Sequence, residues 1–393
     1  MQTLDALVVG AGPIGLATAW RLRQRGLSVA VADPAAGYGA SRTAAGMLAP
    51  VTELGYGEEA LLALNLESAR RYPAFIADLA ECSPIDVGYR RSGTLATAWD
   101  AADLAALRDL HDLQVSVGLE SQLLTGRELR TLEPGLASGL PGGLLAADDH
   151  QVDPRRLHDA LLAAVRGSGV PLIELAVQAL EVAPDRVTAA ILSDGTRIAA
   201  ATTVLAAGAQ SARIEGLPPS VRPAVRPVKG QTLRLRRAEP GQSENRVIRG
   251  TVKGTPVYVV PRADGEVVIG ASSEEAGFDL RPRAGVVYDL LRDAMALLPG
   301  LGELTWMEVS TGLRPGTPDN APLLGAADID GLIFATGHFR NGVLLTPITA
   351  DVVAGLVVGE AVDTGAGSIA GLDLDRFRPS RFTAVGGRGE SAP

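Results

Sequence analysis

The feature that most constrains the fold is a glycine-rich turn, Gly10-Ala11-Gly12-Pro13-Ile14-Gly15, which directly follows a short apolar run at residues 5–9. A helical pattern extends from this turn to Gly26, and a second apolar stretch ends at Asp33. A strand, a glycine turn, a helix and an acidic residue in this order form a dinucleotide-binding fingerprint. The beginning of the chain is therefore predicted to bind a dinucleotide.

Each glycine of this fingerprint, and the acidic residue after it, has a physical task. Gly10 permits the tight turn, Gly12 lets the backbone approach a pyrophosphate, and Gly15 lets the helix pack closely against the strand. The helix N-terminus presents roughly half a positive charge to the phosphates. Asp33, twenty-one residues after Gly12, can accept hydrogen bonds from a ribose diol.

The composition excludes several other kinds of protein. The chain has 393 residues, 46% of them hydrophobic, and its net charge of −9 offers no basic surface to nucleic acid or to an anionic membrane. Cys82 is the only cysteine, so no intrachain disulfide is possible, and we expect a cytoplasmic protein. The sequence has no metal-binding Cys/His spacing, no P-loop and no nucleophile elbow, so we expect no metal and a reactivity that a cofactor supplies.

The remaining elements follow from hydrophobic periodicity. Helices are predicted at 58–80, 101–113, 126–132 and from Asp153 to Gly167. Strands are predicted at 172–182, 187–192, 197–200 and 203–207, a meander typical of large flavoproteins. Strands at 231–236, 257–262 and 266–271, with a helix at 286–298, indicate an antiparallel sheet that covers a pocket. A strand at 332–336 and a helix at 345–358 return the chain to the nucleotide-binding domain.

Five segments together resemble one protein family. They are the turn 10–15, the loop 41–50, and the stretches 227–231, 312–319 and 337–345. These segments resemble the D-amino-acid oxidase-like flavoproteins, and the last of them is similar to glycine oxidases of the thiamine-biosynthetic type. The resemblance extends from residue 5 to about residue 358.

This resemblance implies an α/β fold: a glutathione-reductase-like FAD-binding Rossmann domain plus an α+β substrate domain with a large antiparallel sheet. The FAD-binding domain would comprise residues 1–84, 150–225 and 316–378. Residues 85–149 and 226–315 would form the substrate domain, and the tail 379–393 is expected to be disordered. A homotetramer is also implied.

By the same resemblance the cofactor is FAD. Its pyrophosphate would meet the turn that carries Gly10, Gly12, Pro13, Ile14 and Gly15, its ribose would meet Asp33 and Pro34, and its adenine would meet the backbone of Val177. The inner pyrophosphate and the flavin ring would lie against Ser41, Ala45, Gly46 and Met47. The C-terminal motif would contribute His338, Arg340, Asn341, Gly342, Val343 and Leu344, with the amides of 340–344 at the start of a helix.

Three residues would form the substrate side. Arg314 is expected to bind a carboxylate, because a guanidinium donates two parallel hydrogen bonds. Tyr258 alternates with two valines in its strand, so its phenol can point toward the flavin and hydrogen-bond the carboxylate. Arg340 would either guard the entrance with its side chain or accept the substrate amine through its backbone carbonyl. Pro256 and Ser273 differ from the residues that some glycine oxidases carry, which leaves the pocket volume open.

The resemblance implies oxidation of glycine and similar small amines, such as sarcosine or small D-amino acids, with O2 reduced to hydrogen peroxide and the product directed to thiazole synthesis for thiamine. One alternative is a D-amino-acid or sarcosine dehydrogenase that passes electrons to a quinone or carrier. A second is a non-catalytic nucleotide-binding scaffold. NAD in place of FAD is a further possibility, disfavoured by the motif at 337–345.

Overall fold

The computed structural model of the protein describes residues 3–238, 246–360 and 372–382. Its strands, in chain order, are β1 (Leu4–Val9), β2 (Val29–Ala32), β3 (Met47–Leu48), β4 (Thr94–Ala98), β5 (Gln122–Thr125), β6 (Gly142–Ala146), β7 (His150–Gln151), β8 (Leu172–Ile173), β9 (Val177–Val182), β10 (Val187–Leu192), β11 (Arg197–Leu205), β12 (Arg226–Arg236), β13 (Val247–Val252), β14 (Thr255–Pro261), β15 (Glu266–Gly270), β16 (Thr305–Gly316), β17 (Leu323–Ala326) and β18 (Leu332–Thr336). Its helices are α1 (Pro13–Gln24), α2 (Ala40–Thr43), α3 (Glu59–Cys82), α4 (Ala101–Ser116), α5 (Gly126–Leu132), α6 (Pro154–Gly167), α7 (Ala284–Leu297) and α8 (Thr346–Val357).

The first sheet holds the N-terminal strand at its centre. Its order is β17-β18-β11-β1-β2-β8, and β9 and β10 extend from β11 as an antiparallel meander. Strand β1 is parallel to both β2 and β11, and β18 is parallel to β11. A parallel sheet needs apolar residues on both faces because helices cover them. The four residues of β2 and the last four of β1 are accordingly all buried.

Helices α1, α3, α6 and α8 pack together on one face of this sheet and share a core with it. Trp20 of α1 meets Phe75 of α3 edge to face, with 5.8 Å between the ring centroids. Helix α6 begins where the sequence predicts, because the Asp153 side chain accepts hydrogen bonds from the backbone N–H groups of Arg155 and Arg156. This layer fixes the position of the turn between β1 and α1.

The second sheet has the order β16-β12-β15-β14-β13-β4-β6-β5 and is antiparallel except where β13 runs parallel to β4. Helix α7 packs on one face, and the buried side chains between them include Leu233, Ile248, Val259 and Ile269. The alternation of these apolar positions along each strand leaves the opposite face for other contacts. That opposite face looks toward the first sheet and bounds the candidate site.

The predicted fold class is confirmed by these two sheets, an α/β nucleotide-binding sheet and a large antiparallel sheet. The strands of the first come from residues 4–32, 172–205 and 323–336, and those of the second from 94–146 and 226–316. No helix in the described ranges is both long and apolar enough to span a bilayer.

Three local expectations differ from the structure. Strand β11 runs without the predicted interruption between residues 200 and 203. Helix α8 begins at Thr346, so residues 340–344 form a turn before the helix and do not open it. The expectation of disorder is wrong for residues 379–382, which form a 3-10 turn where the Arg381 guanidinium pairs with Asp319. Residues 383–393 of the predicted tail lie outside the described residues.

Candidate active site

A cavity of about 880 Å³ lies between the two sheets. Its walls come from the turn after β1, the end of β2, the loop that carries α2, the C-terminal ends of β11 and β18, and the strands β12, β14 and β16. Ligands of α/β proteins bind at the carboxyl ends of parallel strands, which is where this cavity begins. Its volume is within the range of small-molecule and cofactor sites.

The three glycines of the first turn have distinct surroundings. Gly10 has φ 107°, and a Cβ there would lie 2.5 Å from the carbonyl oxygen of Ala206. A Cβ on Gly15 would lie 1.9 Å from the carbonyl oxygen of Gly10, so only glycine lets α1 approach β1 this closely. A Cβ on Gly12 would meet no atom within 4 Å, although Gly12 lines the cavity. The empty space beside Gly12 is therefore space for a ligand.

Asp33 follows β2 at the edge of the cavity. Its Oδ2 accepts a hydrogen bond from the backbone N–H of Ala11 at 2.7 Å, and its Oδ1 accepts one from Ala35 at 2.8 Å. Each carboxylate oxygen has a further lone pair for a hydroxyl donor. The carboxylate thus ties the glycine turn to β2 and remains able to bind a ribose.

His158 on α6 was not predicted as a site residue. The ring is buried, lines the cavity, and has Nε2 3.0 Å from the carbonyl oxygen of Ala11. A Cβ on Gly37 would lie 2.7 Å from the ring, so this glycine makes room for it. A single sequence signal indicated this residue, a histidine on a capped amphipathic helix. That signal fits ordinary helix packing as well as it fits a ligand site.

Two buried arginines from the second sheet hold the loop that carries the predicted flavin contacts. Arg262 donates hydrogen bonds to the carbonyl oxygens of Ala45 and Val152, and Val152 donates its N–H to the carbonyl of Gly46 at 2.9 Å. Arg234 donates to the carbonyl of Ala44 at 3.4 Å. Burial lowers the pKa of Arg262 to about 10, so the guanidinium stays charged at neutral pH.

Gly46 itself has φ 76°, and a Cβ there would lie 2.0 Å from the carbonyl oxygen of Val152. A side chain at this position is excluded both by the backbone conformation and by the neighbouring chain. The loop therefore presents backbone, rather than side chain, to the cavity at this point.

The turn 337–345 closes the cavity from the C-terminal side. Phe339 has φ 44°, an uncommon value for a residue with a side chain, and its N–H donates to the carbonyl of Pro315 at 3.0 Å. Within the described part of the chain, the backbone N–H groups of Gly342, Val343 and Leu344 have no acceptor. Buried N–H groups are almost always paired, so these donors indicate a ligand with acceptor atoms.

Arg314 and Tyr258 come together at the far end of the cavity because two strand glycines leave room for them. A Cβ on Gly230 would lie 2.5 Å from the Arg314 guanidinium, and a Cβ on Gly270 would lie 2.4 Å from the Tyr258 phenol. Burial of the ring raises the pKa of Tyr258, and the positive charge of Arg314 acts in the opposite direction. Glycine within a strand marks such close approach, a signal that the sequence analysis did not use.

The Arg314 guanidinium is available to an anion. Its Nη1 donates to the carbonyl oxygen of Ser272 at 2.9 Å, and among the described residues no carboxylate is within ion-pair distance of it. The guanidinium has five N–H donors, so several remain for a ligand.

Glu53 is a further residue at the Arg314 end of the cavity, and the sequence analysis did not identify it. It follows the loop 41–50, lines the cavity, and has a side chain that is only 10% exposed. Its Oε1 is 2.5 Å from Nη1 of Arg249, and its Oε2 is 3.4 Å from Nε of Arg340. These partners are distant in sequence, so no local pattern could have indicated the cluster.

A second buried carboxylate positions the backbone next to Glu53. Asp149 accepts hydrogen bonds from the N–H of Val51 at 2.9 Å, and from the N–H and hydroxyl of Thr52 at 2.8 and 2.6 Å. Burial raises the pKa of Asp149 to about 6, which leaves it mostly ionised at neutral pH. The carboxylate therefore acts as an acceptor for three donors of this loop.

The structure brings the predicted site residues together with few exceptions. The ones that line the cavity are Gly10, Gly12, Pro13, Ile14, Asp33, Pro34, Ser41, Ala45, Gly46, Met47, Val177, Tyr258, Arg314, His338, Arg340, Asn341, Gly342 and Val343. Gly15 lies behind the turn, and the buried Leu344 side chain packs in the first core. Pro256 and Ser273, which left the pocket volume open, are exposed and are not among the lining residues.

This set of residues fits FAD. The open side of Gly12 and the Asp33 carboxylate suit the pyrophosphate and ribose, and the N–H groups at 342–344, which have no acceptor among the described residues, suit the acceptor atoms of a flavin ring. The cavity continues from this nucleotide end to Arg314 and Tyr258. The groups that could bind a small anion are therefore in the same cavity as those that would hold the nucleotide.

Comparison with known proteins agrees with this interpretation. The sequence family described as FAD dependent oxidoreductase matches residues 5–356. The bifunctional protein ThiO/ThiG of Synechocystis sp. is 35% identical over 386 residues, which cover 97% of this chain but 55% of that protein. The chain thus spans about half the length of that relative. Glycine oxidase of Geobacillus kaustophilus is 33% identical over 357 residues, which cover 90% of this chain and 92% of that protein.

Solved structures show the same similarity in three dimensions. The crystal structure of glycine oxidase from Geobacillus kaustophilus matches with a TM-score of 0.87 at 31% identity, over 97% of this chain and 99% of that one. Iminodiacetate oxidase from Chelativorans sp. matches with a TM-score of 0.84 at 28% identity, over 95% and 98% of the two chains. The similarity therefore extends over both sheets.

Proposed function

The chain belongs to the DAO family of FAD-dependent oxidoreductases, and from this premise we propose that it oxidises glycine and similar small amines. In the proposed reaction, glycine, O2 and water give glyoxylate, ammonia and hydrogen peroxide. When bound, FAD supplies the two-electron redox chemistry that connects the amine to O2. The residues of the chain bind and orient the substrate.

The observation that carries this proposal is the Arg314 guanidinium, which has no carboxylate partner among the described residues and lies in the same cavity as the nucleotide site. Arg314 can donate two parallel hydrogen bonds to a substrate carboxylate, and the adjacent Tyr258 hydroxyl can donate a third. A carboxylate held in this way directs the Cα of an α-amino acid toward the turn 337–345, where the flavin ring is expected. Hydrogen bonds to charged groups contribute about 1.5–3 kcal/mol each.

The amine of the substrate needs an acceptor and no protein base. We propose that the backbone carbonyl of Arg340 accepts a hydrogen bond from it, while the Arg340 side chain, which is 43% exposed, remains at the entrance. An amine that binds deprotonated retains its lone pair, so a side chain does not have to remove a proton. This assigns binding and orientation, rather than acid–base chemistry, to the chain.

A substrate panel with peroxide detection tests the proposal. Glycine, sarcosine, small D-amino acids and iminodiacetate are supplied to the purified protein under air, and hydrogen peroxide is measured. Peroxide that forms with glycine supports an oxidase. Flavin reduction by an amine without peroxide under air would instead favour the dehydrogenase that uses a quinone or carrier. A protein whose flavin no amine reduces would be a non-catalytic scaffold.

The proposal for the wider role of this oxidation rests on the names of the relatives. One relative is the bifunctional ThiO/ThiG, so we propose that the oxidised product feeds thiazole synthesis for thiamine. The division into an FAD-binding and a substrate domain, and assembly into a homotetramer, remain predictions of the family resemblance.

A further inference from the structure

One buried carboxylate at the substrate end of the cavity has no task in the proposed reaction. Glu53 lines the cavity with a side chain that is nine-tenths buried, and its Oε2 accepts no hydrogen bond from any described residue. A buried charge without full compensation is costly, so its presence requires a partner or a ligand that explains it.

The partners of Glu53 are two guanidinium groups from different parts of the fold. Arg249 on β13 meets Oε1 at 2.5 Å, and Arg340 in the turn before α8 approaches Oε2 at 3.4 Å. Burial alone would raise the pKa of Glu53, but the charges of Arg249, Arg340 and Arg314 outweigh that effect and hold it below its ordinary value. The carboxylate is therefore ionised at neutral pH and neutralises its neighbours.

The charges at this end of the cavity decide what can bind there. Three guanidinium groups, those of Arg249, Arg314 and Arg340, act on the carboxylate of Glu53. Nη2 of Arg340 is also 4.0 Å from a carboxylate oxygen of Glu58. Two of them are paired with it, and Arg314 has no carboxylate within ion-pair distance among the described residues. Among the described residues, Arg314 is therefore the guanidinium of this group that stays free for a substrate anion, and the charge of Glu53 in the same cavity would repel a second anion.

Direct binding of the substrate amine to Glu53 is a less suitable role. A carboxylate beside the amine favours its protonated form, and a protonated amine has no lone pair to support oxidation. Arg249 also already pairs with Oε1, and the Arg340 guanidinium lies within ion-pair distance of Oε2 without a hydrogen bond to it.

We propose that Glu53 determines specificity by restricting the site to substrates with a single carboxylate. It does so by neutralising Arg249 and, together with Glu58, Arg340, so that Arg314 binds the substrate carboxylate, and by adding a negative charge to the cavity that opposes a second carboxylate. This inference rests on the proposed function, because it takes Arg314 as the carboxylate site.

Ligand binding to the holoenzyme tests this without turnover. Diglycolate has two carboxylates, and methoxyacetate is its counterpart with one; neither contains an oxidisable amine. Binding is measured from the change in the visible flavin spectrum. We expect the wild-type protein to bind methoxyacetate at least about tenfold more tightly than diglycolate, because like charges oppose each other in the buried site. Equal affinity of the wild-type protein for the two ligands would overturn the inference.

Three variants separate the charge of Glu53 from its shape. Glu53→Gln keeps the shape and removes the negative charge that faces Arg249 and Arg340, so diglycolate should bind at least about tenfold more tightly while methoxyacetate changes by less than about threefold. Glu53→Asp keeps the charge and should retain the wild-type ratio. Arg340→Gln removes a positive charge from a side chain that is 43% exposed and should weaken diglycolate binding further, which tests the inference even if Glu53→Gln loses its flavin.

The outcomes distinguish this inference from the proposed function. If Glu53→Gln changes both ligands equally or neither of them, Glu53 does not select by charge, whereas oxidation of glycine could still be correct. If methoxyacetate does not perturb the flavin spectrum of the wild-type protein at all, the carboxylate site at Arg314 is wrong, and the proposed function and this inference fail together. In steady-state assays, Glu53→Gln should also raise kcat/KM for iminodiacetate relative to glycine.

Discussion

At the scale of single residues, the site depends on side chains that glycine makes possible. Gly230 and Gly270 have no side chain that would pack on their strands. The space left above them lets Arg314 and Tyr258 lie flat against the sheet. The sheet therefore holds both groups in one orientation. A preorganised binding site requires this rigidity, because a mobile guanidinium would lose entropy on binding.

Replacement of Arg314 by alanine tests the carboxylate site. We expect KM for glycine to rise and kcat/KM to fall at least about 100-fold, because two charge-assisted hydrogen bonds of about 1.5–3 kcal/mol each are lost. The protein should remain yellow, since Arg314 lies at the far end from the nucleotide. Steady-state kinetics with glycine measure KM and kcat/KM, and Arg236→Ala at the exposed end of β12 is the matched control. An unchanged KM would show that Arg314 does not bind the substrate carboxylate.

His338 gives a prediction about stability and pH. Its ring is buried, Nε2 is 3.0 Å from the hydroxyl of Thr349, and burial lowers its pKa to about 3 from 6.5. The unfolded chain therefore takes up a proton at a higher pH than the folded protein does. The stability that this difference provides is complete above about pH 6.5 and is lost as the pH falls toward 3, by up to about 1.4 kcal/mol per pH unit.

The measurement compares urea unfolding of the wild-type protein and His338→Gln at pH 7 and pH 5, with FAD in excess. Glutamine can keep a hydrogen bond to Thr349 but cannot be protonated. The free energy of unfolding of the wild-type protein should fall by about 2 kcal/mol more than that of the variant over this interval. Parallel losses in the two proteins would show that His338 is not a buried neutral ring.

At the scale of elements, the β1–α1 unit separates two tasks of glycine, folding and ligand approach. Gly15→Ala should prevent normal packing, because its Cβ would lie 1.9 Å from a backbone oxygen. Gly12→Ala should leave the thermal unfolding of the apoprotein nearly unchanged, because its Cβ meets no protein atom within 4 Å, yet should weaken FAD binding at least about tenfold. FAD titration and thermal unfolding of the apoproteins measure the two effects. Full FAD affinity in Gly12→Ala would place the pyrophosphate elsewhere.

The loop next to Glu53 is held by one buried carboxylate. Asp149→Asn should destabilise the protein by about 1–3 kcal/mol, because an amide cannot accept from all of the Val51 and Thr52 donors and leaves at least one unpaired. The exposed neighbour Asp148 provides the control, since Asp148→Asn should change the free energy of unfolding by less than about 0.5 kcal/mol. Thermal unfolding measures both, and equal effects of the two substitutions would contradict the assigned role of Asp149.

The elements also show what could be predicted from sequence. The turn 10–15 and the capped start of α6 were predictable because their signals are local: glycines at fixed spacing, and Asp153 before a proline. Strand β16, which carries Arg314, was not predicted as a strand, since its mixed polar sequence lacks an alternating pattern and its order comes from pairing with the distant β12. Glu53 was missed for the same reason, because its partners Arg249 and Arg340 are brought to it only by the tertiary fold.

At the scale of the whole molecule, the two sheets have different tasks. The first provides strand ends and helix termini for a nucleotide, and the second provides a flat wall with Tyr258 and Arg314. Buried arginines of the second sheet, Arg234 and Arg262, reach across to hold the loop of the first. The two walls of the cavity are therefore fixed relative to each other by direct hydrogen bonds.

The central claim is that the cavity holds a flavin whose substrate side accepts glycine at Arg314. Anaerobic addition of glycine to the purified protein tests it most directly, with the visible absorbance of the flavin as the readout. The account predicts a yellow protein that glycine bleaches and that regains its colour, with release of hydrogen peroxide, when air is admitted. A colourless protein that does not take up FAD, or a yellow one whose absorbance excess glycine leaves unchanged, would contradict it.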